Sequence, residues 1–206
     1  MSENKKYLKP VLFYGGLWGL AEATLGYLLH LFPTGVAGII MFPVAFYLMF
    51  NLYKSSGMQS GVLMAGCIAA GIKLTGLAIP LQSPISVINP AVSILLESLV
   101  IFAFVTSTAN RERVYVKTFA MTIIHIGLLV LVQTLIFRPA EGLYLLPVLP
   151  LGGYILLSGI VGSLMMGTWL RHPVGVLSLD SLRLSYLQPG LLILVAILLE
   201  AGTRLI

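Results

Sequence analysis

Seven apolar stretches, at about residues 10–32, 35–53, 58–80, 90–109, 117–137, 151–170 and 189–205, take up most of the 206-residue chain. The first six each supply the roughly 20 apolar residues that a helix needs to cross the hydrocarbon of a bilayer. A chain so divided has few folds open to it, because backbone N–H and C=O groups in lipid must find their partners inside their own segment. The sequence therefore predicts an all-α, polytopic transmembrane helical bundle of six to seven spans. The seventh stretch, "PGLLILVAILLEAGTRLI", is short and ends in Glu200 and Arg204, so it either crosses or lies along the interface. Composition excludes the ordinary globular alternative: 58% of residues are hydrophobic and 9% charged, against about a quarter charged in soluble domains, and mean hydropathy is +1.01.

The breaks between stretches, such as "FPTG", "YKSSGMQSG" and "PLQSPISVINP", are built from Pro, Gly, Ser and charge. No linker or composition shift divides the chain, which reads as one transmembrane domain over residues 1–206. The start, "MSENKKYLKP", has the basic character of a signal peptide, but the apolar run from Val11 to Phe32 is too long for one and is read as an uncleaved first helix. A net charge of +5 does not point to nucleic acid, since the basic residues occupy short gaps between apolar runs. Lys5, Lys6, Lys9, Lys54, Arg111, Arg113, Lys117, Arg171 and Arg183 all fall on one side if six helices alternate. That side is expected to be the cytoplasm, which puts the N-terminus inside a multi-pass protein of the cell membrane. Cys67, the only cysteine, excludes an internal disulfide and a cysteine-rich metal site.

Four ionisable side chains interrupt the spans: Glu22, Lys73, Glu97 and His125. A charge at mid-membrane costs roughly 2.5 to 3.5 kcal/mol on insertion scales, so such groups face a cavity or a partner. Lys73 stands seven residues before Pro80 and Glu97 seven after Pro90, which at 1.5 Å per residue places both about 10 Å below the outer surface. Two readings follow: an ion pair between the third and fourth segments, or a Glu97 that faces a ligand. Asn89 and Ser93 extend the Glu97 stripe outward at steps of four, and an ion pair alone needs neither. In the fifth segment Thr118, Thr122, His125, Leu129 and Gln133 share one face. His125 and Gln133 there serve either helix packing or ligand contact. No set of His, Cys and carboxylates has metal-ligand spacing, and no cofactor is expected.

In the first segment Gly15, Gly19 and Ala23 form a small-residue stripe with Glu22 and Trp18 beside it, and Gly159, Ser163 and Gly167 form a similar row in the sixth. Such rows admit close helix approach, either inside the bundle or against a partner subunit. No nucleophile elbow, zinc-protease helix or phosphate loop is present, so no enzymatic activity is expected.

The size, basic N-terminus, tightly spaced helices, Gly15/Gly19/Ala23 stripe and polar fourth segment together resemble the S components of energy-coupling factor vitamin transporters, their substrate-binding membrane subunits. The resemblance covers about residues 10–170. It implies that the first helix docks on a transmembrane coupling subunit driven by two cytoplasmic ATPases, and that the fourth to sixth helices and outer loops hold a vitamin or its precursor. The chain differs in having glycine at two stripe positions that are usually alanine, and in its seventh stretch. The expectation is a membrane-embedded solute-binding subunit for uptake of a small polar molecule, energised by a partner or an ion gradient. Glu97 would bond or neutralise the solute, Asn89, Ser93, His125 and Gln133 would orient it, and Trp18, beside Glu22, offers a ring to stack on. Lys73 would hold Glu97 ionised or contact an anionic part. The alternative is a non-transporting membrane subunit that anchors a larger complex.

Overall fold

The computed structural model describes residues 3–32, 35–79, 83–107, 113–139, 142–172 and 187–204. Arg111, Arg183 and most of the break between the sixth and seventh apolar stretches lie outside them. The described residues are almost entirely helical, with no strand among them. Helix α1 (Glu3–Ala21) runs through a π-helical turn (Glu22–Gly26) into the short α2 (Tyr27–His30). There follow α3 (Val36–Ser56), α4 (Ser60–Leu74) with a 3-10 turn (Thr75–Ala78), and α5 (Pro84–Ser107). Then come α6 (Val114–Val132) with its own π turn (Gln133–Phe137), α7 (Val148–Arg171) and α8 (Leu187–Thr203). Among the described residues, five helices are long and apolar enough to cross a membrane: Val36–Ser56, Ser60–Ala78, Pro84–Ser107, Val114–Phe137 and Val148–Arg171. This is the architecture of a multi-pass helical membrane protein.

The central helix is α3, which touches α1, α4, α5 and α7. Around it α1 packs on α4, α4 on α5, α5 on α6 and α6 on α7, while α8 lies against α1 and also touches α4. Helix α3 stops at Gly57, whose φ of 69° suits glycine and lets its N–H bond the Tyr53 carbonyl at 2.8 Å. Large apolar side chains such as Val148, Leu149, Leu156, Leu157, Ile160 and Leu164 point outward along α7, whereas Glu22, Lys73, Glu97, His125, Gln133 and Glu200 are buried. That distribution inverts a soluble protein and fits a hydrocarbon surround, where polar side chains bond one another inside the bundle.

Small residues set the helix spacing. A Cβ at Gly15 would stand 2.9 Å from Ile68 Cβ and 3.0 Å from the Ala65 carbonyl, and one at Gly19 would collide with Ile72. The first-segment stripe therefore faces α4, and Ala23 beyond it is fully buried. The expected docking role of Gly15, Gly19 and Ala23 is corrected: the surface they offer is filled by the chain's own helix. The pairs Gly15–Ile68 and Gly19–Ile72 advance together, so α1 and α4 run parallel. On its next face Gly16 meets Ile193 of α8. The sixth-segment row also turns inward, with Gly159 against Phe119, Gly167 against Tyr115, and the Ser163 hydroxyl donating to the Tyr115 carbonyl at 2.8 Å.

Overpacking such a contact typically costs about 1–3 kcal/mol. Gly15→Leu and Gly19→Leu should each lower the thermal unfolding midpoint of the purified protein in detergent. An unchanged midpoint for both would contradict internal packing.

Candidate functional site

The opposed faces of α5 and α6 carry two polar rungs. At the outer one the Gln133 amide donates to Asn89 Oδ1 at 3.0 Å. At the inner one His125 Nε2 lies 3.8 Å from Glu97 Oε1, beyond hydrogen-bond length. Asn89 and Glu97 are eight residues apart, as are His125 and Gln133, so the rungs stand about 12 Å from one another. Ser93 lies between them and donates to Glu97 Oε1 at 3.2 Å. Glu97 is near the middle of the 24-residue α5, and His125 near the middle of the 24-residue stretch Val114–Phe137.

Glu97, His125 and Gln133 are each 3% exposed. Among the described residues, the buried side-chain polar atoms with no hydrogen-bond partner are Glu97 Oε2, His125 Nε2 and Gln133 Oε1. All three belong to these rungs. Below them Thr118 and Thr122 return their hydroxyls to carbonyls of their own helix, Val114 and Thr118, at 3.0 Å. They leave nothing free. Gln133 opens a π turn, closed by the Arg138 N–H on the Gln133 carbonyl at 2.7 Å; such turns are frequent at functional sites.

One further residue completes the inner rung. The Phe42 ring from α3 stacks on His125 with centroids 4.5 Å apart and planes 11° from parallel. Tyr154 of α7, whose hydroxyl donates to the Gly35 carbonyl at 3.2 Å, lies within electrostatic range of Glu97. Neither interrupts an apolar span with charge, so neither stands out in the sequence.

Lys73 is not paired with Glu97. Its ammonium donates to Glu200 Oε2 at 2.9 Å, and Arg204 Nε donates to Glu200 Oε1 at 2.6 Å. The depth argument fails on register. Pro90 is inside α5, which starts at Pro84, and Gly66 of α4 packs directly on Ser98 of α5. Lys73, seven residues beyond Gly66, therefore stands about 10 Å nearer the outer end than Glu97. The carboxylate that the lysine takes comes from α8, which packs along α1 rather than lying apart from the bundle.

Trp18 is fully buried over Gly66, and its indole N–H donates to Glu22 Oε1 at 3.4 Å. It is core, not a ring open to a solute. Glu22, in the π turn after α1, lies between the two charge clusters, within electrostatic range of Lys73 and Glu200 on one side and of Glu97 on the other. Of the expected binding residues the structure thus brings together Glu97, Ser93 and His125, and separately Asn89 and Gln133. It assigns Lys73 to a structural cluster.

Breaking a buried pair by removing one partner costs about 3–5 kcal/mol. Glu200→Gln, which strands two buried cations, should destabilise the protein by about that amount. Glu97→Gln leaves the Lys73 pair whole and should cost less than about 1 kcal/mol, the size of one neutral hydrogen bond. Unfolding of the two purified variants in denaturing detergent checks the order, and the reverse order would refute the assignment. Comparison with protein-family models, curated proteins and solved structures returns no match for this chain.

Proposed function

We propose that the protein binds a small polar solute between α5 and α6 and takes part in its uptake across the cell membrane. In this reading seven helices cross the bilayer with the N-terminus cytoplasmic. The parallel course of α1 and α4 supports that topology, and so does the clustering of Lys9, Lys54, Lys117 and Arg171 at helix ends that alternation puts on one side. The role is binding and passage, not catalysis. Energy comes from a partner subunit or an ion gradient, since the sequence holds no nucleotide-binding loop.

One observation carries the reading: buried atoms Glu97 Oε2, His125 Nε2 and Gln133 Oε1 lack partners. Leaving a buried polar group unsatisfied costs about 1–3 kcal/mol, and more for a charged one. Structural polar groups in this bundle avoid that cost, as the Lys73–Glu200–Arg204 cluster does. Three exceptions on one pair of facing helices are what a solute site needs before its ligand arrives, because the solute supplies the missing bonds.

The resemblance to S components supports this reading through chain size and the polar face of α5. It gains nothing from the Gly15/Gly19/Ala23 stripe, so a coupling subunit would dock on another surface. Native mass spectrometry of the protein purified in mild detergent should find a small molecule that is lost in Glu97→Gln. A chain without bound solute in either form would favour the non-transporting membrane subunit. For topology, a cysteine placed at the exposed Ser83 should react with an impermeant thiol reagent in intact cells. Labelling only after lysis would reverse the orientation.

A further inference from the structure

We infer that the solute is an organic cation bearing N–H groups, and that its binding to Glu97 and His125 releases a proton. The inference rests on the solute-binding reading above and deepens it. It begins with the buried charges. Among the described residues, the interior holds three carboxylates, Glu22, Glu97 and Glu200, and two permanent cations, Lys73 and Arg204. Both cations bond Glu200, at 2.9 and 2.6 Å. Glu22 has the Trp18 indole and the nearby Lys73 charge. Glu97 has no permanent cation beside it.

The groups near Glu97 come from α3, α5, α6, α7 and the π turn, and α4 presents the uncharged Gly66 to the neighbouring Ser98. These groups are Ser93 on α5, His125 on α6 with Phe42 of α3 stacked behind it, Tyr154 on α7 and Glu22 in the π turn. All are neutral or acidic except His125. An ionised carboxylate halfway along a membrane helix needs a compensating charge. In the solute-free protein that charge is a proton held by the Glu97–His125 pair. A cationic solute supplies the same charge, so the two compete.

The geometry selects the kind of cation. Glu97 Oε2 accepts, and His125 Nε2 accepts in the tautomer that carries hydrogen on Nδ1. An ammonium N–H fits both a carboxylate oxygen and an imidazole nitrogen. Hard metal ions prefer all-oxygen sets, and no group of three or more metal-binding side chains occurs among the described residues. A quaternary ammonium has no hydrogen to donate. The exchange balances: the ammonium enters with one positive charge, its N–H groups bond Glu97 and His125, and the displaced proton leaves to water. Gln133 Oε1, about 12 Å outward, accepts from a second donor on a longer solute.

The test uses the full-length protein in lipid nanodiscs, with ethyl-, butyl- and phenethylammonium as probes and tetraethylammonium as the comparison without N–H. Isothermal titration calorimetry in buffers of different ionisation enthalpy counts the protons released. A primary ammonium should bind with release of a proton. Its affinity should fall about tenfold per pH unit as pH drops below the pair's apparent pKa, the law of simple proton competition. Glu97→Gln should lose binding more than tenfold and release no proton, and tetraethylammonium should not bind. Glu97→Asp, which keeps the charge, should bind more weakly but still release the proton; this variant separates loss of the site from loss of fold. Binding without proton release at a pH below the pair's apparent pKa, or no binding by any primary ammonium at millimolar concentration at any pH, overturns the inference. If a neutral or anionic molecule co-purifies instead, the cation assignment falls while solute binding stands. Absence of both ammonium binding and any co-purified molecule sinks both.

Discussion

Glu200 accepts from both Lys73 and Arg204, and the accommodation of both cations inside the bundle depends on that carboxylate. In a hydrocarbon surround an unpaired ammonium cannot borrow water, so Lys73 must take a carboxylate from whichever helix reaches it. The supplier is α8, which is thereby tied to α4 as well as to α1. Glu97, about 10 Å deeper along the bundle, has no Lys or Arg partner among the described residues. Its polar neighbours are Ser93 on its own helix and His125 on α6.

Small residues make this allocation possible. Gly15 and Gly19 bring α1 against the Ala65 carbonyl and the Ile68 and Ile72 side chains, and Gly16 does the same towards Ile193 of α8. With α1 held between α4 and α8, Glu200 lies close enough to reach Lys73. On the far side Gly159 and Gly167 let α7 close on Phe119 and Tyr115 of α6. Tyr154 of the same helix donates to the Gly35 carbonyl just before α3. One half of the bundle thus closes around a satisfied charge cluster and the other around an unsatisfied one. Glu22 is buried in a π turn, where helical geometry is already interrupted, and accepts from the Trp18 indole.

Much of this was legible in the sequence, and the misses share a cause. The apolar stretches locate the helices because lipid leaves a backbone no other option. The polar faces of α5 and α6 follow from spacing alone, and Asn89, Ser93, Glu97, His125 and Gln133 all fall on the columns that spacing predicts. Register between helices does not follow from spacing. Pro80 and Pro90 look like matching loop edges, yet α5 begins at Pro84 and carries Pro90 inside it, so Lys73 and Glu97 only seemed level. The Gly15 stripe signals close approach without naming the neighbour. Glu200 and Arg204 are visible four residues apart near the chain end, but their partner lies 127 positions away from Glu200. Phe42 joins the inner rung through tertiary packing and carries no local mark.

The central claim is the division of labour between the two carboxylates, Glu200 structural and Glu97 reserved for the solute. Double-mutant cycles measure it directly, pairing Lys73→Met first with Glu200→Gln and then with Glu97→Gln, with unfolding free energy as the readout. The account predicts a coupling of about 1–3 kcal/mol between Lys73 and Glu200, and one within about 0.5 kcal/mol of zero between Lys73 and Glu97. Strong coupling of Lys73 to Glu97 with none to Glu200 would contradict it.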